Sequence, residues 1–198
     1  AKATGKTINE AELENATVVI TALDQTLAAD LSGITTNAVT AAFDGTGTFT
    51  GNLGTATTTV ADSVTMTAAY NVLNGKTVNH DGSESAQALV VTIASADAAA
   101  DLSNITSDIT NLTANFSETQ TFIGNLDSKT ASVANDITVT ATAADVTGDT
   151  IAAAGNGNIA VTALHSTLAA DLSGLSSSTG AVTAAFDGTG TFTGNLGT

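Results

Sequence analysis

Three aspartates recur within one short phrase and are the first candidates for chemistry. The phrase Ala-Asp-Leu-Ser occurs three times at a nearly constant interval and places carboxylates at Asp30, Asp101 and Asp171. Carboxylates are ligands that calcium prefers. If each interval holds three stacked β-rungs, these carboxylates lie about 14 Å apart, whereas calcium ligands lie at about 2.4 Å. We therefore interpret them as solvated carboxylates at corners between strands.

A second set of acids stands directly before glycine, at Asp44, Asp81 and Asp187. Such an acid can chelate calcium together with an adjacent rung, but Asp-Gly is also an ordinary turn. In the middle of the chain Ser117-Glu118 replaces the pair. We favour turns and assign no metal-ligating residue, and calcium remains an open alternative.

Histidines and nucleophiles give no catalytic pattern. His80 and His165 have no partner that repeats with them, so we interpret both as isolated surface histidines. Serine is plentiful, but the chain has no GxSxG elbow, no cysteine and no triad spacing. The segment 155–158, Gly-Asn-Gly-Asn, lacks the Lys-Ser/Thr pair of a phosphate loop. The sequence predicts a protein that is not an enzyme, with no catalytic or cofactor-binding residue.

The elements that carry these residues repeat. Residues 38–55 reappear letter for letter as 181–198, and each Phe has a partner six residues away. We therefore predict one continuous repeat array over 1–198, with units of approximately 1–71, 72–144 and 145–198. The Phe pairs are expected to be buried in the core: Phe43/Phe49, Phe116/Phe122 and Phe186/Phe192.

Within each unit, short alternating runs rich in Val, Ile and Thr are followed by Gly, Asn, Asp or Ser. Runs such as 39–43, 64–68 and 137–141 are typical of half-buried strands. Their spacing predicts an all-β fold, a parallel β-solenoid (β-helix) of about 20–28-residue rungs, three rungs per unit of about 70 residues. Only 10–15 and 94–102 are compatible with a helical turn. A string of small β-sandwiches is the rival architecture, although about 70 residues is short for a sandwich of roughly 100.

Charge and composition limit the partners. The chain has 19 acids against 4 bases, all of them Lys, and a net charge of −15. Neutralising phosphate needs a basic surface, so we predict no nucleic-acid binding, and an anionic membrane would repel the chain. No apolar run approaches the roughly 20 residues of a membrane span, so we predict no membrane insertion.

The phrase ADLSGITTNAVTAAFDGTGTFTGNLGT, together with the acidity and the lack of cysteine, resembles a known class of repeat. It is similar to the β-strand repeats of giant bacterial surface proteins, namely secreted adhesins, filament proteins and S-layers of the RTX-related kind. The resemblance implies an extracellular or cell-surface structural role and export of a mostly unfolded chain. The calcium nonapeptide GGxGxDxUx of RTX proteins is missing, so calcium dependence does not carry over.

These observations predict a non-catalytic structural segment of a long fibrous or surface-layer protein. Because nothing in the sequence after Thr198 caps the repeated segment 181–198, we expect self-association end to end with copies of the same array. A calcium-stabilised adhesin stalk is the alternative. An ice-binding face built from Thr rows, as at 57–59 and 138–142, is a further one, which variable rung lengths disfavour.

Overall fold

A computed structural model describes residues 8–9, 17–23, 28–36, 38–82 and 86–197. Over these residues the chain is all-β and forms a parallel β-solenoid of about eight turns, so the predicted fold class is confirmed. Packing divides the chain into two compact units, one of Ala1–Val91 with Asn104–Leu112 and the other of Thr92–Ser103 with Thr113–Thr198. These units describe packing, whereas the three predicted units describe sequence repetition.

The first half of the chain contains nine strands and one short helix in its described part. The strands β2, β4, β6 and β8 form one parallel sheet in that order, β5 pairs with β7, and β1 pairs with β3. The element bounds are β1 Ile8–Asn9, β2 Thr17–Ile20, β3 Ile34–Thr35, β4 Ala38–Phe43, β5 Gly47–Phe49, β6 Thr57–Val60, β7 Thr65–Ala69, α1 Tyr70–Leu73, β8 Val78–His80 and β9 Ala88–Ile93.

Two 3-10 turns, Ser95–Asp97 and Leu102–Asn104, follow β9. Beyond them, two parallel ladders alternate along the chain, one of β10, β12, β14 and β16 and the other of β11, β13, β15 and β17. Their bounds are β10 Leu112–Phe116, β11 Gln120–Phe122, β12 Thr130–Val133, β13 Thr138–Thr142, α2 Ala143–Val146, β14 Ile151–Ala153, β15 Asn158–Leu164, β16 Leu175–Ser177 and β17 Val182–Phe186.

The length of one rung varies more than the sequence predicts. Thr40 lies opposite Thr57, seventeen residues further on, whereas Thr77 lies opposite Thr106, twenty-nine residues further on. Both values fall outside the predicted range of rung lengths. The turns absorb the difference, since β13 and β15 pair over five consecutive positions without a shift.

Alternating side chains build a thin core. Val39, Ala41 and Phe43 of β4 are buried, while the residues between them are more exposed. Four of the six phenylalanines are also buried, with at most 1% of their surface exposed: Phe43, Phe49, Phe116 and Phe122.

The predicted burial of the last Phe pair is wrong. Phe186 is 41% exposed, and Phe192 is partly exposed. The reason is that β17 is the edge strand of its ladder, so no described strand covers these rings from the outer side.

The helices are single turns. The predicted helical turn at 94–102 is present as parts of the two 3-10 turns, and the one at 10–15 lies outside the described residues. Sequence reasoning missed α1 and α2. In α2 a capping box could have been read, since the Thr142 hydroxyl and the Asp145 carboxylate bond each other's backbone N–H groups.

Charged side chains are confined to turns and corners. None of the seventeen strands in the described part of the chain contains Asp, Glu, Lys or Arg. Like charges directly opposite each other on adjacent strands are destabilising. The surplus of acids is therefore tolerated because it lies off the ladders.

Candidate functional site

The three recurring aspartates each cap a turn. Asp101 accepts hydrogen bonds from the Ser103 backbone N–H at 3.1 Å and from the Ser103 hydroxyl at 2.6 Å. Asp30 binds Ser32 in the same way, at 3.0 and 2.6 Å. The hydroxyl bond, followed by the backbone bond, lowers the pKa of each of the three carboxyls below its ordinary value.

Each of these aspartates also pairs with an asparagine one rung further on. The parallel bridges join Asp30 to Asn52, Asp101 to Asn125 and Asp171 to Asn195. At the middle bridge the Asn125 amide donates to the Asp101 carboxylate at 3.1 Å. Sequence reasoning found both recurring phrases but not their pairing. The signal was present in the sequence, because each asparagine follows its aspartate at a nearly constant separation.

A glycine precedes each asparagine because the two rungs approach closely there. A Cβ on Gly51 would lie 2.1 Å from the carbonyl oxygen of Ala29, and one on Gly124 would lie 2.0 Å from that of Ala100. Real Cβ atoms do not come so close to oxygen. Together with the backbone bonds from Asn52 N to Ala29 O and from Leu31 N to Asn52 O, both 2.8 Å, this makes the corner a structural device.

The acids before glycine lie in turns. Asp44 separates β4 from β5, Asp81 follows β8, and Asp187 follows β17. The glycines after the last two have φ of 108° and 106°, the left-handed region that turns require. Among the described residues, no three His, Cys, Asp or Glu side chains come together as a metal site would need.

His80 has a partner, so its interpretation as an isolated histidine is wrong. Its Nε2 lies 3.4 Å from Oδ2 of Asp108, and its backbone N–H donates to Oδ1 of the same carboxylate at 2.7 Å. The Gly82 N–H donates to Nδ1 at 2.9 Å, which places a proton of neutral His80 on Nε2, facing Asp108. Asp108 was missed because it lies one rung further on, far from His80 in the sequence. His165 bonds the Thr167 hydroxyl at 2.7 Å.

The predicted Thr rows are only partly outward. Thr58 points inward and is fully buried, while Thr57 and Thr59 lie on the outer side of β6. In the second ladder Thr121 lies opposite Thr140, but Ala160 takes the next position. The strands keep their register despite unequal rungs, so rung length by itself does not disfavour an ice-binding face. The row of hydroxyls is nevertheless interrupted.

The largest exposed apolar surface with a known counterpart lies along residues 181–197, which we call the β17 edge. Each of its apolar side chains has a twin in residues 38–54, where the sequence is identical. Val182, Phe186 and Leu196 are 37%, 41% and 56% exposed, whereas their twins are 5%, 0% and 0% exposed: Val39, Phe43 and Leu53. The β17 edge therefore presents core residues to solvent.

No family model matches this chain, and no curated protein and no solved structure matches it. In the described part of the chain no helix is long and apolar enough to cross a membrane. The functional argument therefore rests on the geometry of the corners and of the β17 edge.

Proposed function

We propose that this chain is a non-catalytic structural repeat segment of a long extracellular fibrous or surface-layer protein, and that it assembles end to end into a filament. One observation carries the proposal: the β17 edge exposes residues that an identical sequence buries elsewhere in the same molecule. The extracellular location rests on the resemblance to bacterial surface-protein repeats.

The backbone of β17 supports pairing with another molecule. The Asp187 N–H donates to Leu164 O of β15, and Ala181 O accepts from Ile159 N of the same strand. In a parallel ladder, successive residues direct their N–H and C=O groups to opposite sides. Alternate residues of β17 therefore face β15, and the N–H of Ala184 points away from it, towards the open side.

A second edge strand lies in the first unit. β2 ends its sheet among the described strands, and Val19 is 63% exposed there. A contact between one molecule's β17 and another's β2 joins two different surfaces. Such a heterologous contact leaves both outer edges free again, so it propagates into a filament unless the rotation closes a ring.

The test is assembly at micromolar concentration, followed by light scattering and electron microscopy. Wild-type protein is expected to form filaments. Ala184→Pro removes an N–H on the open side and breaks no hydrogen bond to β15, so it should abolish filaments and retain the fold. Ala184→Ser keeps the N–H and is the matched control. A well-folded wild-type protein that stays monomeric would overturn the proposal.

A further inference from the structure

The molecule itself contains the element that covers the sequence of the β17 edge. Residues 56–69, which hold β6 and β7, lie on residues 38–49. Thr57, Thr58, Thr59 and Val60 stand opposite Thr40, Ala41, Ala42 and Phe43, and Met66, Thr67 and Ala68 stand opposite Gly47, Thr48 and Phe49.

Polar contacts fix this register at the turn between the strands. The Ala61 N–H donates to Phe43 O at 2.9 Å, and the Thr65 N–H donates to the Thr46 hydroxyl at 3.0 Å. The same acceptors recur at the β17 edge, as Phe186 O and the Thr189 hydroxyl, because the sequence is identical.

The covering residues also complete the core. Val60, Met66 and Ala68 are fully buried against the first repeat. Their contact surfaces at the β17 edge are the partly exposed Phe186 and Phe192. The covering segment carries a single acid, Asp62, so its approach brings little charge repulsion.

We propose that the β17 edge is a docking site for a strand–turn–strand segment with the sequence pattern of residues 56–69, supplied by another molecule. The segment adds two parallel strands in the register that 56–69 adopts on 38–49, so that Val60 of the segment lies opposite Phe186. This inference rests on the proposed function and names the chemistry of its partner. It is strand addition to an open sheet edge, with alternate side chains filling the core.

Docking also orders a segment. Residues 47–49 form β5, which pairs with β7, but the identical residues 190–192 are not in a strand. Gly188 and Gly190 have φ of 106° and 145°. Occupation of the β17 edge should draw 190–192 into an extended strand and slow hydrogen exchange of the amides that face outward, at Val182, Ala184 and Phe186.

The experiment uses the full chain and a labelled synthetic peptide of sequence 56–73, followed by fluorescence polarisation. The expected result is saturable one-to-one binding, with slower hydrogen exchange at the β17 edge. A peptide with Val60→Asp and Met66→Asp, which changes only the inward row, should bind at least about tenfold more weakly. Light scattering of the peptide alone checks that it stays monomeric.

Ala184→Pro should weaken binding by about tenfold or more, and Ala184→Ser should not. Circular dichroism checks that both variants fold. Equal binding of both peptides, or protection outside residues 181–197, overturns the inference. Binding of the peptide by a protein that forms no filament supports the docking site and contradicts the proposed polymerisation. Filaments that form while the peptide fails to bind contradict the docking site alone.

Discussion

The rings of Phe43 and Phe49 meet edge to face, with centroids 5.3 Å apart and planes at 90°. Phe116 and Phe122 repeat the arrangement at 5.1 Å and 76°. Each pair closes the turn between two strands of one rung. Aromatic pairs in this geometry contribute about 0.5–1.5 kcal/mol beyond the area that they bury. In a chain without Trp, they fill the corners that Val, Leu and Ala leave open.

Truncation of these rings should depend on the rung that covers them. We expect Phe43→Ala to lower the free energy of unfolding by about 3–5 kcal/mol, because the ring is fully buried. Phe186→Ala, made in an identical sequence context, should lower it by clearly less, because the ring is 41% exposed. Urea titrations of monomeric protein give both values. Equal losses would contradict the difference in burial.

Thr58 offers a stabilising substitution. Its side chain is fully buried, and its hydroxyl has no hydrogen-bond partner within the described part of the molecule. A buried polar group without a partner costs about 1–3 kcal/mol. Thr58→Val keeps the shape and removes the hydroxyl, so we expect the free energy of unfolding to rise by about 1 kcal/mol. Thr59→Val, on the outer side of β6, is the control and should change stability little. A loss of stability in Thr58→Val would mean that the hydroxyl is satisfied.

Acid should weaken the corners. The folded pKa values of Asp30, Asp101 and Asp171 are lowered by the Ser hydroxyl and N–H, so their contribution to stability is present above the ordinary Asp pKa. It is lost as the pH falls through the lowered folded values. We expect the melting temperature of wild type to exceed that of Asp30→Asn/Asp101→Asn/Asp171→Asn at pH 6, and the gap to close below about pH 3. Calorimetry over this range measures it, and a gap that widens in acid would contradict the sign.

Asp149 provides an internal control of opposite sign. Burial raises its pKa, so its charged form is disfavoured in the folded chain. Its contribution is therefore greatest below the ordinary Asp pKa and is lost as the pH rises through the raised folded value. Asp149→Asn should raise the melting temperature at pH 7 relative to wild type, with a smaller or reversed effect at pH 3.

Chelation separates the proposed fibre from the calcium-stabilised stalk. We expect the β-type circular dichroism and the melting temperature to be unchanged in excess EDTA, because backbone ladders between rungs carry the order. An ion that binds only the folded state adds stability through its binding free energy, so its removal lowers the melting temperature. A large loss on chelation, restored by added calcium, would favour the stalk.

Much of this fold could be predicted from local pattern. Period-two alternation identified the strands, because side chains in a pleated strand alternate between core and solvent. The six-residue spacing of Phe43 and Phe49 predicted two strands joined at a turn, with the rings turned inward. The recurrence of Asp30 and its equivalents predicted corners. These features depend on residues close together in the chain, so the sequence contains them.

Contacts between rungs could not be predicted in this way. His80 and Asp108 meet across 28 residues, and Asp101 meets Asn125 across 24, at separations that depend on turns of unequal length. A change of one or two residues in any turn would choose other partners. Rung length therefore had to come from the tertiary structure.

The two copies of one 18-residue sequence show the division directly. Sequence alone determined that both contain the same alternation, the same glycines and the same pair of rings. Only the tertiary structure decided that Phe43 is buried and Phe186 exposed, and that 47–49 form a strand while 190–192 do not. A β-strand is completed by hydrogen bonds and side chains from another part of the chain. Residues 56–69 supply them to the first copy, and no described residue supplies them to the second.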